Sequence, residues 1–114
     1  MKVIPTEIEG VVLLEPEVFG DARGYFFESY SEQSFDRLVR PVRFVQDNQS
    51  LSAARGTIRG LHFQRNPRAQ GKLVRVVRGA ILDVAVDIRR GSPTYGRHEA
   101  VELSRENWRQ LWVP

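Results

Sequence analysis

The sequence contains no cysteine among its 114 residues and only two histidines, His62 and His98. The lack of cysteine excludes disulfides, thiolate nucleophiles and cysteine-ligated metals. Long apolar runs are also missing: the longest, Val11–Leu14, is far short of the roughly twenty residues that cross a bilayer, and the N-terminus does not resemble a signal peptide. A chain of this length buries one core, so we expect a single cytosolic domain, residues 1–114, that does not enter a membrane.

Lysine is scarce as well, because 15 of the 17 cationic residues are arginine and the formal net charge is only +3. Arginine suits phosphate and carboxylate recognition, although a GC-rich genome would give the same count. The arginines are scattered from Arg23 to Arg109 among acidic residues. Nucleic-acid binding, which concentrates positive charge on one face, is therefore disfavoured.

Glycine and proline separate short runs rich in β-branched and aromatic residues, a pattern typical of an all-β protein. One short helix is predicted, with Ser31 as its N-cap, Phe35, Leu38 and Val39 as its apolar stripe, and Pro41 as its stop. Many short strands with one helix favour a sandwich or a jelly-roll barrel. The eight predicted strands are 11–14, 25–30, 43–48, 57–63, 72–77, 81–87, 99–103 and 110–113.

The residues around Arg78-Gly79 predict a hairpin between two of these strands. Its register would place Lys72 diagonal to Asp83, close enough for an ion pair. Their shared face is either a solvated surface or the lumen of a ligand-binding barrel. The opposite face is apolar too, so a second copy of the chain is the expected cover if both faces are buried.

His62 lies in Arg59-Gly60-Leu61-His62-Phe63-Gln64, at the end of a predicted strand. A histidine there is a candidate general base, or else a structural residue. Alternation puts Arg59 and His62 on opposite faces unless the chain kinks at Gly60. The 36 positions between His62 and His98 argue against a metal site.

Ordered segments along nearly the whole chain resemble the dTDP-4-dehydrorhamnose 3,5-epimerase family. They are Gly20-Asp21-Ala22-Arg23-Gly24-Tyr25-Phe26-Phe27-Glu28, Phe44-Val45-Gln46-Asp47-Asn48, the His62 segment, Gln70-Gly71-Lys72-Leu73-Val74, Asp83-Val84-Ala85-Val86-Asp87-Ile88-Arg89, and Gly91-Ser92-Pro93-Thr94-Tyr95-Gly96 through to Leu111-Trp112-Val113-Pro114.

The resemblance implies a cupin-type jelly roll that forms a homodimer and acts on a dTDP-4-keto-6-deoxy sugar in rhamnose biosynthesis. No metal or organic cofactor is expected. The implied reaction removes and returns protons at C3 and C5, which flank the ketone, and so requires a base, a charge stabiliser for the enolate and an acid on the opposite face.

The resemblance also implies roles for individual residues. His62 would be the base and Lys72 the enolate stabiliser, with Asp83 orienting Lys72. Arg59 would contact the substrate, and Phe26 would stack on the nucleotide base. The residues expected to bind the nucleotide sugar are Arg23, Glu28, Gln46, Asp47 and Asn48, with the Arg23 region reaching into the neighbouring subunit's site.

The family continues beyond a stretch like Leu111-Trp112-Val113-Pro114, to a tyrosine thought to be the acid and an aspartate that pairs with the base. The sequence is therefore expected to be a fragment whose barrel is incomplete at the C-terminus. Three functions remain open: a 3,5-epimerase, a non-catalytic cupin-fold module that binds a sugar nucleotide or a protein, or a related single-centre epimerase or ketoisomerase.

Overall fold

A computed structural model describes all 114 residues and shows eight short strands and one helix. No helix in it is long and apolar enough to cross a membrane. The helix, α1, spans Glu32–Leu38. The strands are β1 (Lys2–Pro5), β2 (Val12–Glu15), β3 (Val18–Asp21), β4 (Gly24–Phe27), β5 (Lys72–Arg75), β6 (Ala80–Val86), β7 (His98–Ser104) and β8 (Gln110–Val113).

The strands form one four-stranded antiparallel sheet, ordered β1-β2-β8-β5, and two separate hairpins, β3-β4 and β6-β7. Strand β8 occupies the centre of the sheet, with Leu111 opposite Leu13 of β2 and Val74 of β5. The sheet is thus built from segments distant in sequence, whereas both hairpins are local.

Alternation along the central strands sends successive side chains into two cores, one on each face of the sheet. Leu13 and Leu111 enter a cluster with Ala85 and Leu103 of the β6-β7 hairpin. Leu14 and Trp112 point the other way and pack against Phe35 of α1. The four-stranded sheet therefore lies between the helix and the β6-β7 hairpin.

The predicted helix is confirmed together with its cap. The Ser31 hydroxyl accepts a hydrogen bond from the Ser34 backbone N–H at 3.3 Å, and Val39 caps the C-terminal end. Phe35 is 1% exposed and fixes the helix on the sheet, whereas Leu38 remains 39% exposed.

The predicted hairpin at Arg78-Gly79 is wrong. Strand β5 pairs with β8, and β6 pairs with β7, so the Arg78-Gly79 turn joins two different sheets. The face alternation still holds, because Val74 and Ala85 both contribute to the cluster around Leu111. This face therefore contributes to the core and is not a wholly solvated surface, although Lys72 and Ile81 on it are exposed.

Two predicted strands, 43–48 and 57–63, are also wrong, since no strand lies between α1 and β5. Their apolar side chains contact little: Ile58 is 92% exposed and Val45 78%. Strands β1 and β3 were not predicted, because they are four residues long and carry Pro5 and Gly20. Pro5 lies at the end of β1, an edge strand, where its missing N–H costs little.

Candidate functional site

The β3-β4 hairpin carries three of the predicted binding residues. Phe26 is 71% exposed and lies directly opposite Phe19, which is 58% exposed. Glu28 follows the hairpin and is also exposed. An open depression of about 420 Å³ is lined by Phe19, Phe26, Arg23 and the residues around them. Phe19 was missed by sequence reasoning, although its place opposite Phe26 across the turn was the available signal.

Arg23, at the hairpin turn, is tied to Asp21. Its Nη2 and Nε donate to Asp21 Oδ2 at 2.6 and 3.1 Å, and its backbone N–H donates to Asp21 Oδ1 at 2.8 Å. These bonds lower the pKa of Asp21 and raise that of Arg23. The pair is exposed, so it orients the guanidinium more than it stabilises the fold.

The long connection between α1 and β5 carries the other predicted binding residues and His62. Gln46 Nε2 donates to Asn48 Oδ1 at 3.1 Å, and both residues are exposed, as is Asp47. Arg59 is held by its own loop: its Nε donates to Ser52 Oγ at 3.1 Å and its Nη2 to the Leu51 carbonyl at 3.0 Å.

His62 lies in the same connection, just after Gly60, whose φ of 111° is a conformation that favours glycine. Because no strand lies here, the alternation that would put Arg59 and His62 on opposite faces does not apply. His62 is exposed, and no hydrogen bond or ion pair joins it to Arg59 or Lys72. His62 and Arg59 thus share the α1-β5 connection, whereas Lys72 lies on β5.

Lys72 begins β5, opposite Val113 of β8, while Asp83 lies on β6. Burial raises the pKa of Asp83, and the Lys72 charge partly counteracts that rise. The two residues thus interact electrostatically, but they form no ion pair within 4.0 Å. The predicted ion pair is therefore absent, and the two residues lie in different sheets and not across a hairpin. Asp83 Oδ2 is buried with no hydrogen-bond partner.

Gly71 fixes the entry of the chain into β5. A Cβ at this position would overlap the ring of Trp112, which is 2% exposed. Lys72 therefore follows a point at which the backbone lies against the indole and only glycine fits.

Gly71→Ala is accordingly expected to lower the free energy of unfolding by about 1–3 kcal/mol, since a methyl group would be forced into a packed core. Urea unfolding measures this. Gly20→Ala is the matched control, because a Cβ there would make only an ordinary contact, 3.7 Å from the Gly24 carbonyl oxygen. Equal losses in the two variants would contradict the proposed steric role of Gly71.

Residues 5–114 match the family model of dTDP-4-dehydrorhamnose 3,5-epimerase. The chain belongs to the dTDP-4-dehydrorhamnose 3,5-epimerase family. It is 59% identical to the protein of that name from Salmonella typhimurium, over all of this chain and 62% of that protein. The chain thus spans less than two thirds of the length of this relative.

Solved structures of the family agree with the fold. The chain superposes with a TM-score of 0.96 on the Bacillus anthracis dTDP-4-dehydrorhamnose 3,5-epimerase with TDP and PPi bound, at 54% identity and over 99% of this chain and 65% of that one. The TM-score is 0.93 with a Legionella pneumophila 3,5-epimerase in complex with dTDP-4-keto-L-rhamnose, at 48% identity and over 99% and 60% of the two chains. The mostly β architecture with one short helix is the cupin-type jelly roll of this epimerase family.

A buried carboxylate in this member of the family was not singled out by sequence reasoning. Asp87, at the end of β6, has a fully buried side chain and accepts bonds from Arg89, Ser92 and Thr94. These bonds hold its pKa far below the usual range, the Arg89 guanidinium contributing most. The available signal was the spacing of Asp87, Arg89, Ser92 and Thr94 in one loop. Its role is to fix the β6-β7 connection.

Proposed function

We propose that the protein is an epimerase of a dTDP-4-keto-6-deoxy sugar that inverts C3 and C5 in dTDP-rhamnose biosynthesis, with residues 1–114 as one cupin-type domain. The observation that carries this proposal is the superposition of 99% of the chain on a solved relative in complex with dTDP-4-keto-L-rhamnose. The proposal includes a cytoplasmic location, the compartment expected from the sequence.

The chemistry assigns a role to His62 and Lys72. A proton on a carbon next to a ketone is acidic because the electron pair left behind spreads onto the ketone oxygen. The neutral imidazole of His62 takes the C3 or C5 proton, and the Lys72 ammonium stabilises the negative charge on the oxygen. A proton delivered from water to the opposite face of the same carbon completes the inversion.

The hairpin and the α1-β5 connection supply substrate binding in this proposal. The exposed Phe26 ring stacks on the thymine base, and Arg23, pre-oriented by Asp21, donates to the diphosphate. Arg59 contacts the sugar nucleotide from the opposite segment. The remaining polar groups proposed to bind it are those of Glu28, Gln46, Asp47 and Asn48. The open depression between Arg23 and Phe26 supports this assignment of the hairpin.

Deuterium incorporation tests the proposal. The protein is incubated with dTDP-4-keto-6-deoxyglucose in deuterium oxide, and the sugar is examined by NMR. Deuterium at both C3 and C5 is expected. Binding of the sugar nucleotide without exchange at either carbon would refute the enzymatic proposal and favour a binding module, and exchange at C3 alone would favour a single-centre epimerase.

Asp83 is proposed to act as a positioning residue for Lys72. In Asp83→Asn, the buried and unpartnered oxygen no longer belongs to a charged group, so the free energy of unfolding at neutral pH is expected to stay constant or rise by up to about 1 kcal/mol. The exchange rate is expected to fall, because Lys72 loses the carboxylate that orients it. Urea unfolding and the exchange assay give the two readouts.

The sign of the pH dependence follows from the raised pKa. Because native Asp83 holds its proton more tightly than the unfolded chain does, its contribution to stability is greatest in acid. That contribution declines as the pH rises through about 4, the unfolded pKa, toward the higher native value. Asp83→Asn should remove this decline. A variant that is both less stable and fully active would contradict the positioning role.

We further propose that the protein forms a homodimer through the outer face of the β6-β7 hairpin. Leu82 is 68% exposed and Val84 38% exposed on that face, and Ala100 lies opposite Val84. The other side of this hairpin already faces the core, so a second copy is the proposed cover.

Leu82→Glu is therefore expected to shift the protein from dimer to monomer in sedimentation equilibrium, since the dimer would bury the new charge. Ile58→Glu is the control, because Ile58 is exposed but lies on the α1-β5 connection. A wild-type protein that sediments as a monomer, or equal dissociation in both variants, would refute this interface.

A further inference from the structure

A second cavity lies on the inner side of the β3-β4 hairpin, and Tyr25 borders both this cavity and the depression lined by Arg23 and Phe26. Its volume is about 60 Å³, room for several waters or one small anion. The cavity forms where the hairpin, the β5-β6 turn and the β7-β8 turn meet. Its lining residues are Tyr25, Phe27, Arg75, Val76, Val77, Arg105, Trp108 and Gln110.

The charge of the lining is entirely positive, since it contains two arginines and no carboxylate. Neither guanidinium is engaged elsewhere: the ion pairs of the chain involve Arg23, Arg89 and Arg109, and the cation–π contact involves Arg65. No side-chain hydrogen bond of Arg75 or Arg105 is present either. Two exposed arginines whose guanidinium groups have no hydrogen-bond or ion-pair partner within the chain therefore line one small cavity.

The opposite wall is rigid. The centroid of the Trp108 ring lies 4.4 Å from the centroid of the Tyr25 ring and 5.2 Å from that of the Phe27 ring, and both contacts are edge-on. Trp108 is the one non-glycine residue with a positive φ, 60°. Such a conformation costs free energy and persists only where the surroundings impose it.

The side-chain hydrogen bonds of Asn107 hold Trp108 in this positive-φ conformation. Its Oδ1 accepts from the backbone N–H groups of Ser104 and Arg109, each at 3.0 Å, and its Nδ2 donates to the Glu102 carbonyl at 2.9 Å. The β7-β8 turn is thus clamped on both sides of Trp108. The Arg105 backbone N–H donates to the Gly79 carbonyl at 3.0 Å, which fixes this turn to the β5-β6 turn.

We propose that this cavity binds one tetrahedral oxyanion, such as phosphate or sulfate, between the guanidinium groups of Arg75 and Arg105. Planar guanidinium donors match the oxygens of such an anion, and charge-assisted hydrogen bonds are stronger than neutral ones. The site differs from the nucleotide-sugar depression in its binding groups, because Arg75 and Arg105 line only the cavity and Arg23 lines only the depression. Tyr25 borders both.

Anion binding here would also hold the hairpin. Strands β3 and β4 pair only with each other, so the hairpin forms no backbone ladder with the rest of the chain. Its aromatic contacts with Trp108 connect it to the body, and an anion in the cavity keeps that junction closed. Slower amide hydrogen exchange in Val18–Phe27 is the expected consequence.

The two tryptophans allow a test in solution by NMR. Inorganic phosphate is titrated at constant ionic strength maintained with chloride, and the indole N–H signals of Trp108 and Trp112 are followed. The Trp108 signal is expected to shift and saturate, while that of Trp112, which is not in the lining, stays in place. A shift that grows linearly without saturation, or an equal response to chloride, would overturn the proposal.

Variants assign the binding groups. Arg75→Gln and Arg105→Gln are each expected to weaken phosphate binding at least about fivefold, because each removes charge-assisted hydrogen bonds. Arg97→Gln is the control: Arg97 is exposed, has no ion pair and lies outside the cavity. An unchanged Trp112 signal shows that each variant is folded. Equal weakening in Arg97→Gln would mean non-specific attraction and refute the site.

Competition distinguishes the two sources of phosphate. Thymidine diphosphate, expected on the outer face of the hairpin, should leave the phosphate-induced Trp108 shift unchanged. Displacement of phosphate by thymidine diphosphate would assign the cavity to the nucleotide and overturn its separate character. The phosphate titration requires no sugar substrate, so its result does not depend on whether the epimerase proposal holds.

Discussion

Substitution of His62 by Asn is expected to lower the rate of deuterium incorporation at C3 and C5 by roughly 10²- to 10⁴-fold, the usual contribution of a positioned general base. Asparagine keeps a polar side chain of similar reach but has no nitrogen that accepts a proton near neutral pH. His62 is exposed and packs against no core cluster, so the fold should remain intact. Affinity for thymidine diphosphate should also persist, because the nucleotide is assigned to the hairpin.

The sequence supplies a matched control, since it contains one other histidine. His98 begins β7, is exposed and has no assigned role. His98→Asn is expected to exchange at the wild-type rate. Retention of wild-type exchange in His62→Asn, or an equal loss in both variants, would mean that the base is a different group.

Of the substitutions proposed for this protein, Asp87→Asn is expected to cause the largest loss of stability. It should lower Tm by roughly 10 °C or more. The buried carboxylate accepts five hydrogen bonds. They come from the Arg89 backbone N–H, Nε and Nη2 at 3.0, 2.9 and 3.0 Å, and from the hydroxyls of Ser92 and Thr94, each at 2.6 Å. An amide group would place N–H donors against these donors and leave the Arg89 charge without its partner.

Asp21 provides the control for this substitution. It forms the same two-residue pairing with Arg23, but both side chains are exposed, so Asp21→Asn should shift Tm by less than about 2 °C. Differential scanning calorimetry of both variants gives the comparison. A similar small shift in Asp87→Asn would show that the network contributes little.

The buried carboxylate of Asp87 also predicts that the protein is sensitive to acid. Because the native pKa of Asp87 lies well below its unfolded value, the stabilisation is present above about pH 4 and is lost as the pH falls through the unfolded pKa toward the native one. The wild-type protein should therefore lose stability steeply below about pH 4. Asp87→Asn should show a shallower decline over the same range.

Local sequence signals predicted the local structure of this chain. The Ser31 cap and the Pro41 stop predicted α1, and alternation predicted that Val74 and Ala85 share a face, which the structure places against the core. Alternation does not reveal which strand lies alongside, because any antiparallel partner satisfies the same pattern. The pairing of β5 with β8 was therefore missed.

The candidate site, too, could be predicted only in part from local sequence. Residue types and order pointed to His62, Lys72 and the hairpin, but their assembly depends on contacts across the chain that no local pattern contains. Strand propensity in 43–48 and 57–63 was also insufficient, since a strand forms only where another backbone satisfies its hydrogen bonds. The aromatic contacts of Trp108 depend on a clamped turn, which side-chain periodicity does not encode.

The long α1-β5 connection divides the chain into two halves. The central strand β8 joins them through non-covalent contacts. Strands β1 and β2 and helix α1 lie before residue 45, and β5 to β8 lie after residue 71, with the exposed connection between them. The β2-β8 ladder and the packing of Phe35 on Trp112 cross this division. Proteolytic cleavage within the connection should therefore yield two fragments that remain associated and separate only under denaturing conditions.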